Sequence, residues 1–161
     1  MLFVIFLLIL IVLVGFGVSG FRGAVWVPTF GRDVEAMLDD VKLRPGELFV
    51  ELGCGDGRML VAAAKRGAKV VGYEINPVLW LVATVRTLRH RTVRVRLGDL
   101  WLQDLSQADV VMTFLMQRFM LRLETKLQKE LHPGARFATY VFTLPNKKAK
   151  IARHHWWVYQ Y

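Results

Sequence analysis

The stretch from Leu48 to Asn76, LFVELGCGDGRMLVAAAKRGAKVVGYEIN, decides the fold. Leu48, Phe49, Val50 and Leu52 form a short apolar run, with Glu51 set just ahead of a turn carrying Gly53, Gly55 and Gly57. Met59 to Arg66 is rich in helix formers, and a second apolar run, Val70 to Ile75, contains Glu74 near its end. β-branched runs on either side of a helix predict a parallel βαβ unit. Glycines at the strand–helix corner permit positive φ and leave no Cβ between backbone and ligand. The helix start presents unpaired N–H groups, and an acid at the end of the second strand can hold a ribose diol. The unit reads as a cradle for a nucleoside-bearing ligand.

Glycine spacing separates two ligand classes. A dinucleotide site has G-x-G-x-x-G, whereas this loop is G-x-G-x-G behind Glu51. A carboxylate there repels a pyrophosphate but can receive a cationic amino group. The E-x-G-x-G-x-G pattern resembles motif I of class I S-adenosylmethionine (SAM) methyltransferases.

Composition allows one domain of useful core size in 161 residues. The formal charge of +9 favours anionic partners, a membrane surface among them. Cys54 is the single cysteine, so no intrachain disulfide can form. Its place in the glycine loop could lower its pKa, but no motif histidine accompanies it as a base, and it reads as a spacer beside the cofactor.

Residues Met1 to Phe21 contain no charged side chain. As a helix they would extend about 31 Å, enough to cross a hydrocarbon core. A signal peptide would call for a basic start, which is missing. The expectation is therefore a transmembrane anchor over 1–21, a linker over 22–32 and a catalytic domain over 33–161. Arg22 and Arg32 just after the anchor would leave that domain facing the cytoplasm, single-pass, with the bilayer as a partner through residues 1–21.

Along the rest of the chain, Val34, Met37, Leu38 and Val41 predict a helix over Asp33–Val41. Pro77 after Asn76 opens a second helix running to about His90. Val93–Leu97 reads as a half-solvated strand ending at Gly98-Asp99-Leu100-Trp101, and Ala108–Leu115 as a central strand. Met116, Met120, Leu123, Leu127 and Leu131 mark a helical stripe, Arg136–Phe142 a fifth strand and His154–Tyr161 a last one. Lys147–Arg153 reads as basic and polar. Asp99, third in a series of strand-end acids after Glu51 and Glu74, can accept a hydrogen bond from an adenine amino group. Arg86, Arg89, Arg91, Arg94 and Arg96 form a basic cluster without a nucleic-acid recognition module, and His154-His155 lacks the partners of a zinc site, so no metal is expected.

These pieces resemble the small membrane-anchored class I methyltransferases that include the mitochondrial lysine methyltransferases of the adenine nucleotide translocase and the ATP synthase c-subunit. The resemblance is carried by Val27-Pro28-Thr29, ELGCGDGR at 51–58, GYEINP at 72–77, Gly98-Asp99-Leu100-Trp101, Leu123–Leu127, Pro133–Arg136 and Phe142–Pro145. It implies an α/β, Rossmann-like sheet with helices on both faces, SAM as cofactor and a lysine of a membrane-associated protein as acceptor. Glu51, Gly53, Cys54, Gly55 and Gly57 would hold the methionine end of SAM, Glu74 and Ile75 the ribose, and Asp99 and Leu100 the adenine. Pro28, Thr29, Phe114 and Leu115 would shape the acceptor side, with no clear general base. Methylation of a lipid or small amine, or nucleoside binding without catalysis, are the alternatives. The chain departs from the family at Val25-Trp26 and from Asn146 onward, both beside the expected acceptor side.

Overall fold

The computed structural model describes residues 31–161 together with Phe6 and Gly17. Helix α1 (Gly31–Asp40) leads into β1 (Leu48–Leu52), α2 (Arg58–Lys65), β2 (Lys69–Glu74), α3 (Pro77–Thr87) and β3 (Val93–Leu97). Then come β4 (Val110–Thr113), α4 (Met120–Glu130), β5 (Arg136–Tyr140), β6 (Ile151–Ala152) and β7 (Trp156–Gln160). The seven strands pair in the order β3-β2-β1-β4-β5-β7-β6, the first five parallel and the last two antiparallel additions. All four residues of β4 are buried, as its unbroken apolar run predicts for a central strand.

Strand alternation divides the core in two. On one face, Val34, Met37 and Leu38 of α1, Leu60 and Ala63 of α2 and Ala83 of α3 pack on Phe49, Val70, Val110 and Ala138. On the other, Met120, Leu123 and Leu127 of α4 pack on Val50, Leu52, Val111 and Phe137. Among the described residues, helices thus cover both faces, α1, α2 and α3 on one and α4 on the other. Asn76 caps α3, accepting from the backbone N–H groups of Val78 and Leu79, in the place expected for it. The helix stops at Thr87, short of His90. The fifth strand ends two residues before Phe142, at a turn in which Val141 takes φ 69°. The basic stretch before the last strand contributes the short β6, and His154 and His155 lie ahead of β7 with their rings 4.2 Å apart rather than on opposite strand faces.

The membrane expectation is corrected. Among the described residues no helix is long and apolar enough to cross a membrane. The longest, α3 and α4, have 11 residues each, about 16 Å of helix against the roughly 30 Å required. Residues 1–21 lie outside the described residues apart from Phe6 and Gly17, as do Pro28 and Thr29. An uncharged run satisfies the length criterion for a span without requiring one. No helix among the described residues supports the anchor, the bilayer partner it implied or the single-pass placement, and the segment on which that expectation fell lies outside them.

Candidate functional site

In this open sheet the strand order reverses direction between β1 and β4, the place where such folds bind ligands at the carboxyl ends of the strands. Glu51 lies at the end of β1, Glu74 ends β2 and Asp99 follows β3, so the three acids stand along one edge. The loop after β1 is bent by Gly53 (φ 79°), Gly55 (φ 53°) and Gly57 (φ 78°), a left-handed run that side chains rarely adopt. A Cβ on Gly57 would also lie 3.0 Å from the Cβ of Ala83, pressing the loop off α3.

Hydrogen bonds fasten this loop to the second strand. The N–H groups of Gly53 and Cys54 both donate to the Tyr73 carbonyl at 2.9 Å. Glu74, buried, accepts from Gly55 N–H at 2.8 Å and from Asn76 N–H at 2.9 Å, one on each oxygen. An ionised carboxylate has about four acceptor positions, so Glu74 keeps capacity for a diol. Burial pushes its pKa up, partly offset by the N–H groups of Asn76, Gly55 and Ile75. Ile75 is half-buried beside it.

Glu51 carries the sharper tension. Its Oε2 is covered and has no hydrogen-bond partner. Desolvation, with the charges of Glu74 and Asp56, pushes its pKa well above the usual carboxylate range, against a smaller pull from Arg58. A cation arriving beside Glu51 would meet the orphaned oxygen and favour the ionised form that burial and the neighbouring acids oppose. This is the observation that fits the ammonium end of SAM. Cys54 points into the core, its Sγ where a Cβ on Gly72 would fall, and desolvation pushes its thiol pKa up rather than down. It is buried against the second strand.

Asp99 caps the short 3-10 turn Leu100–Leu102, accepting from Trp101 N–H at 3.0 Å. Leu100 is buried in the second core, while Trp101 is covered by the Arg122 guanidinium, 4.0 Å from the ring centroid. Phe114 follows β4 and packs, half-buried, against the first core, while Leu115 is fully buried in the second.

Three features had little sequence signal. Asp56 accepts two bonds from the Arg58 guanidinium, at 3.0 and 2.8 Å, and a third from Arg86 of α3 at 3.0 Å. Burial opposes its ionisation, but the Arg58 hydrogen bonds and both arginine charges outweigh that and hold its carboxyl below the usual range. Asp56 also meets the N–H of Arg58 at 3.4 Å, so the first helical N–H is met by protein rather than left for a ligand. Only the D-x-R spacing hinted at this clamp. Arg86, one of the basic cluster, belongs to it. The third feature is a buried hydrogen bond from the Tyr140 hydroxyl to Asp33 Oδ2 at 2.7 Å, joining residues 107 apart in sequence.

Comparison with known proteins agrees with this geometry. The ANTKMT methyltransferase domain matches residues 51–151. The human lysine N-methyltransferase of the ATP synthase c-subunit is 37% identical over 124 residues, covering 75% of this chain and 53% of that protein. Mouse adenine nucleotide translocase lysine N-methyltransferase is 39% identical over 126 residues, covering 74% and 54%. A protein-lysine N-methyltransferase of Saccharolobus islandicus is 36% identical over 127 residues, covering 74% and 77%. The chain spans about half the length of the vertebrate relatives it matches. Among solved structures, an RNA methyltransferase from Salinibacter ruber in complex with S-adenosyl-L-homocysteine superposes with a TM-score of 0.78 at 28% identity, covering 83% of this chain and 93% of that one. With the family match spanning more than half the chain and the loop, acids and sheet order of the fold in place, this protein belongs to the ANTKMT methyltransferase family of class I SAM-dependent methyltransferases.

Proposed function

We propose that this chain transfers a methyl group from SAM to the side-chain nitrogen of a lysine in a membrane-associated protein. The observation that carries the cofactor half is the buried Oε2 of Glu51, without a hydrogen-bond partner beside the glycine loop. The acceptor half follows the relatives, which are named for lysine methylation of the ATP synthase c-subunit and of the adenine nucleotide translocase.

The roles divide along the sheet edge. Glu51 and the loop from Gly53 to Gly57 take the methionine end of SAM, Glu74 with Ile75 the ribose, and Asp99 with Leu100 the adenine. When bound, SAM supplies a sulfonium methyl that an amine lone pair takes, leaving a neutral thioether. The protein's work is alignment: the acceptor nitrogen must be deprotonated, dry and in line with the methyl group. Phe114 gives that side an apolar wall, and Pro28 and Thr29 precede it in the chain.

Calorimetry on the full chain with SAM and S-adenosyl-L-homocysteine, with NAD as control, tests the cofactor. Glu74→Ala should lower SAM affinity by roughly tenfold to a few hundredfold, since hydrogen bonds to a charged group contribute about 1.5–3 kcal/mol. Unchanged affinity would remove Glu74 from the ribose site. Labelled SAM with a membrane fraction then tests the acceptor: a labelled protein band supports lysine methylation. A labelled lipid would reassign the substrate, and no label from SAM-binding protein would mean a non-catalytic module.

A further inference from the structure

A second group of side chains gathers beside the cradle, at the tips of β4 and β5. Leu52, Thr113 and Thr139 stand abreast in the register of β1, β4 and β5, so Gly53, Phe114 and Tyr140 continue the three strands at one level. With strands about 4.8 Å apart, Phe114 and Tyr140 lie roughly 5–10 Å from the glycine loop. Phe114 meets Tyr140 edge-on, centroids 5.3 Å apart at 80°, and meets Phe142 at 6.2 Å.

The backbone is strained to bring these rings together. On a continued strand Tyr140 and Phe142 would share a face. Instead Val141, a β-branched residue, takes φ 69°, and Phe142 N–H turns back to the Tyr140 carbonyl at 3.0 Å. This is a γ-turn of the rare, strained sense. Tyr140 packs with the first core and Phe142 with the second, leaving Phe114 between them. Strain of this kind persists where the surroundings hold it and clusters at ligand sites.

One buried carboxylate belongs to the group. Asp33, 6% exposed, accepts from the Tyr140 hydroxyl, and its other oxygen faces the Arg32 guanidinium at 3.6 Å. Arg32 is 85% exposed, so the cation already drawn to Asp33 is loosely held and free to be exchanged. A carboxylate attracts a cation, and aromatic faces accept one while excluding water.

We propose that Asp33, Tyr140, Phe114 and Phe142 form the subsite for the acceptor, a primary ammonium group at the end of a long alkyl arm. The inference rests on the methyltransferase reading and names what recognises its substrate. Asp33 draws the ammonium in. The rings line the approach and exclude water around it.

The test uses the full chain, S-adenosyl-L-homocysteine, and two analogues in which nitrogen replaces the sulfur. One analogue carries an aminobutyl arm and the other an uncharged pentyl arm of equal length. Calorimetry should give the wild type a preference of about tenfold or more for the amino arm. Asp33→Asn, which can still accept the Tyr140 hydroxyl, should lose that preference while keeping its affinity for S-adenosyl-L-homocysteine. Phe142→Leu should reduce the preference by a few-fold, an independent check if the Asp33 variant is poorly folded. Equal binding of the two arms by the wild type, or an intact preference in both variants, overturns the subsite alone. Failure of folded wild type to bind S-adenosyl-L-homocysteine overturns the methyltransferase reading and the subsite with it.

Discussion

Glu51 stands near the end of β1 with one carboxylate oxygen covered and unpartnered, while Glu74 and Asp56 crowd it electrostatically. Its folded pKa is raised above the unfolded value, so the folded protein holds a proton that the unfolded chain releases. Stability of the ligand-free protein therefore falls as pH rises from about 4.5, the ordinary glutamate value, through the folded pKa. Glu74 is raised too and acts in the same direction. Asp40 and Asp56 are lowered; their contribution is full above about 3.8 and is lost as pH falls through their folded values. The two slopes place the ligand-free optimum at mildly acidic pH. Thermal melts should give a higher Tm near pH 5 than near pH 7.5. Glu51→Gln should flatten that slope and raise the neutral-pH Tm by about 3 °C, as a gain on the order of 1 kcal/mol does in a chain of this size. An unchanged slope would show that Glu51 is not the strained acid. The strand-end acids were legible in sequence because each follows a short apolar run at a fixed offset. Asp33 with Tyr140, and Asp56 with Arg86, were not, because each pair exists only once separate helices and strands pack together.

At the scale of elements, the contact between α2 and the sheet depends on an absent side chain. A Cβ on Gly72 of β2 would lie 2.5 Å from Leu60 Cδ1 and 2.9 Å from Cys54 Sγ. Gly72→Ala must push α2 or the glycine loop outward, at about 1–3 kcal/mol, the usual cost of overpacking. Chemical denaturation should show that loss, with weaker SAM binding because Cys54 lies inside the loop. A neutral result would mean that Leu60 changes rotamer freely. Gly72 read in sequence only as part of a strand, since a glycine's neighbours across a helix–strand gap leave no local pattern. Helix and strand identities followed from periodicity, whereas the end of β5 did not. Arg136 to Phe142 is a good strand sequence throughout, and Val141 is the last residue that propensity would choose for a positive φ.

Across the whole molecule, α1 is fastened to the sheet at both ends. Asp33 meets Tyr140 at the site edge, and at the far edge Arg136 donates to the carbonyls of Val41 and Lys42, at 2.8 and 2.9 Å, while pairing with Glu47 at 2.7 Å. Arg136→Ala should cost about 2–3 kcal/mol through hydrogen bonds of a largely buried charge. If α1 is merely draped on the sheet, denaturation midpoints will not move. The Rossmann-like architecture was readable from alternating helices and strands and from one acid-led glycine loop. The anchor expectation rested on hydropathy alone over residues 1–21, which lie outside the described residues apart from Phe6 and Gly17, and no helix among the described residues spans a bilayer.

The position of β1 has a consequence for how the molecule assembles. Its partner on one side, β2, follows closely in the chain, but β4 on the other arrives late, as in the bond from Leu48 N–H to Asp109, 61 residues away. Local pairing in the first half closes small loops and forms early, whereas docking β4 against β1 closes a long one and is slow. Glu51 and Glu74 belong to the early half, and Phe114 and Tyr140 to the late one. During refolding the strands that carry Glu51 and Glu74 therefore pair ahead of those that lead to Phe114 and Tyr140, and the carboxyl edge of the sheet is completed from its first half outward.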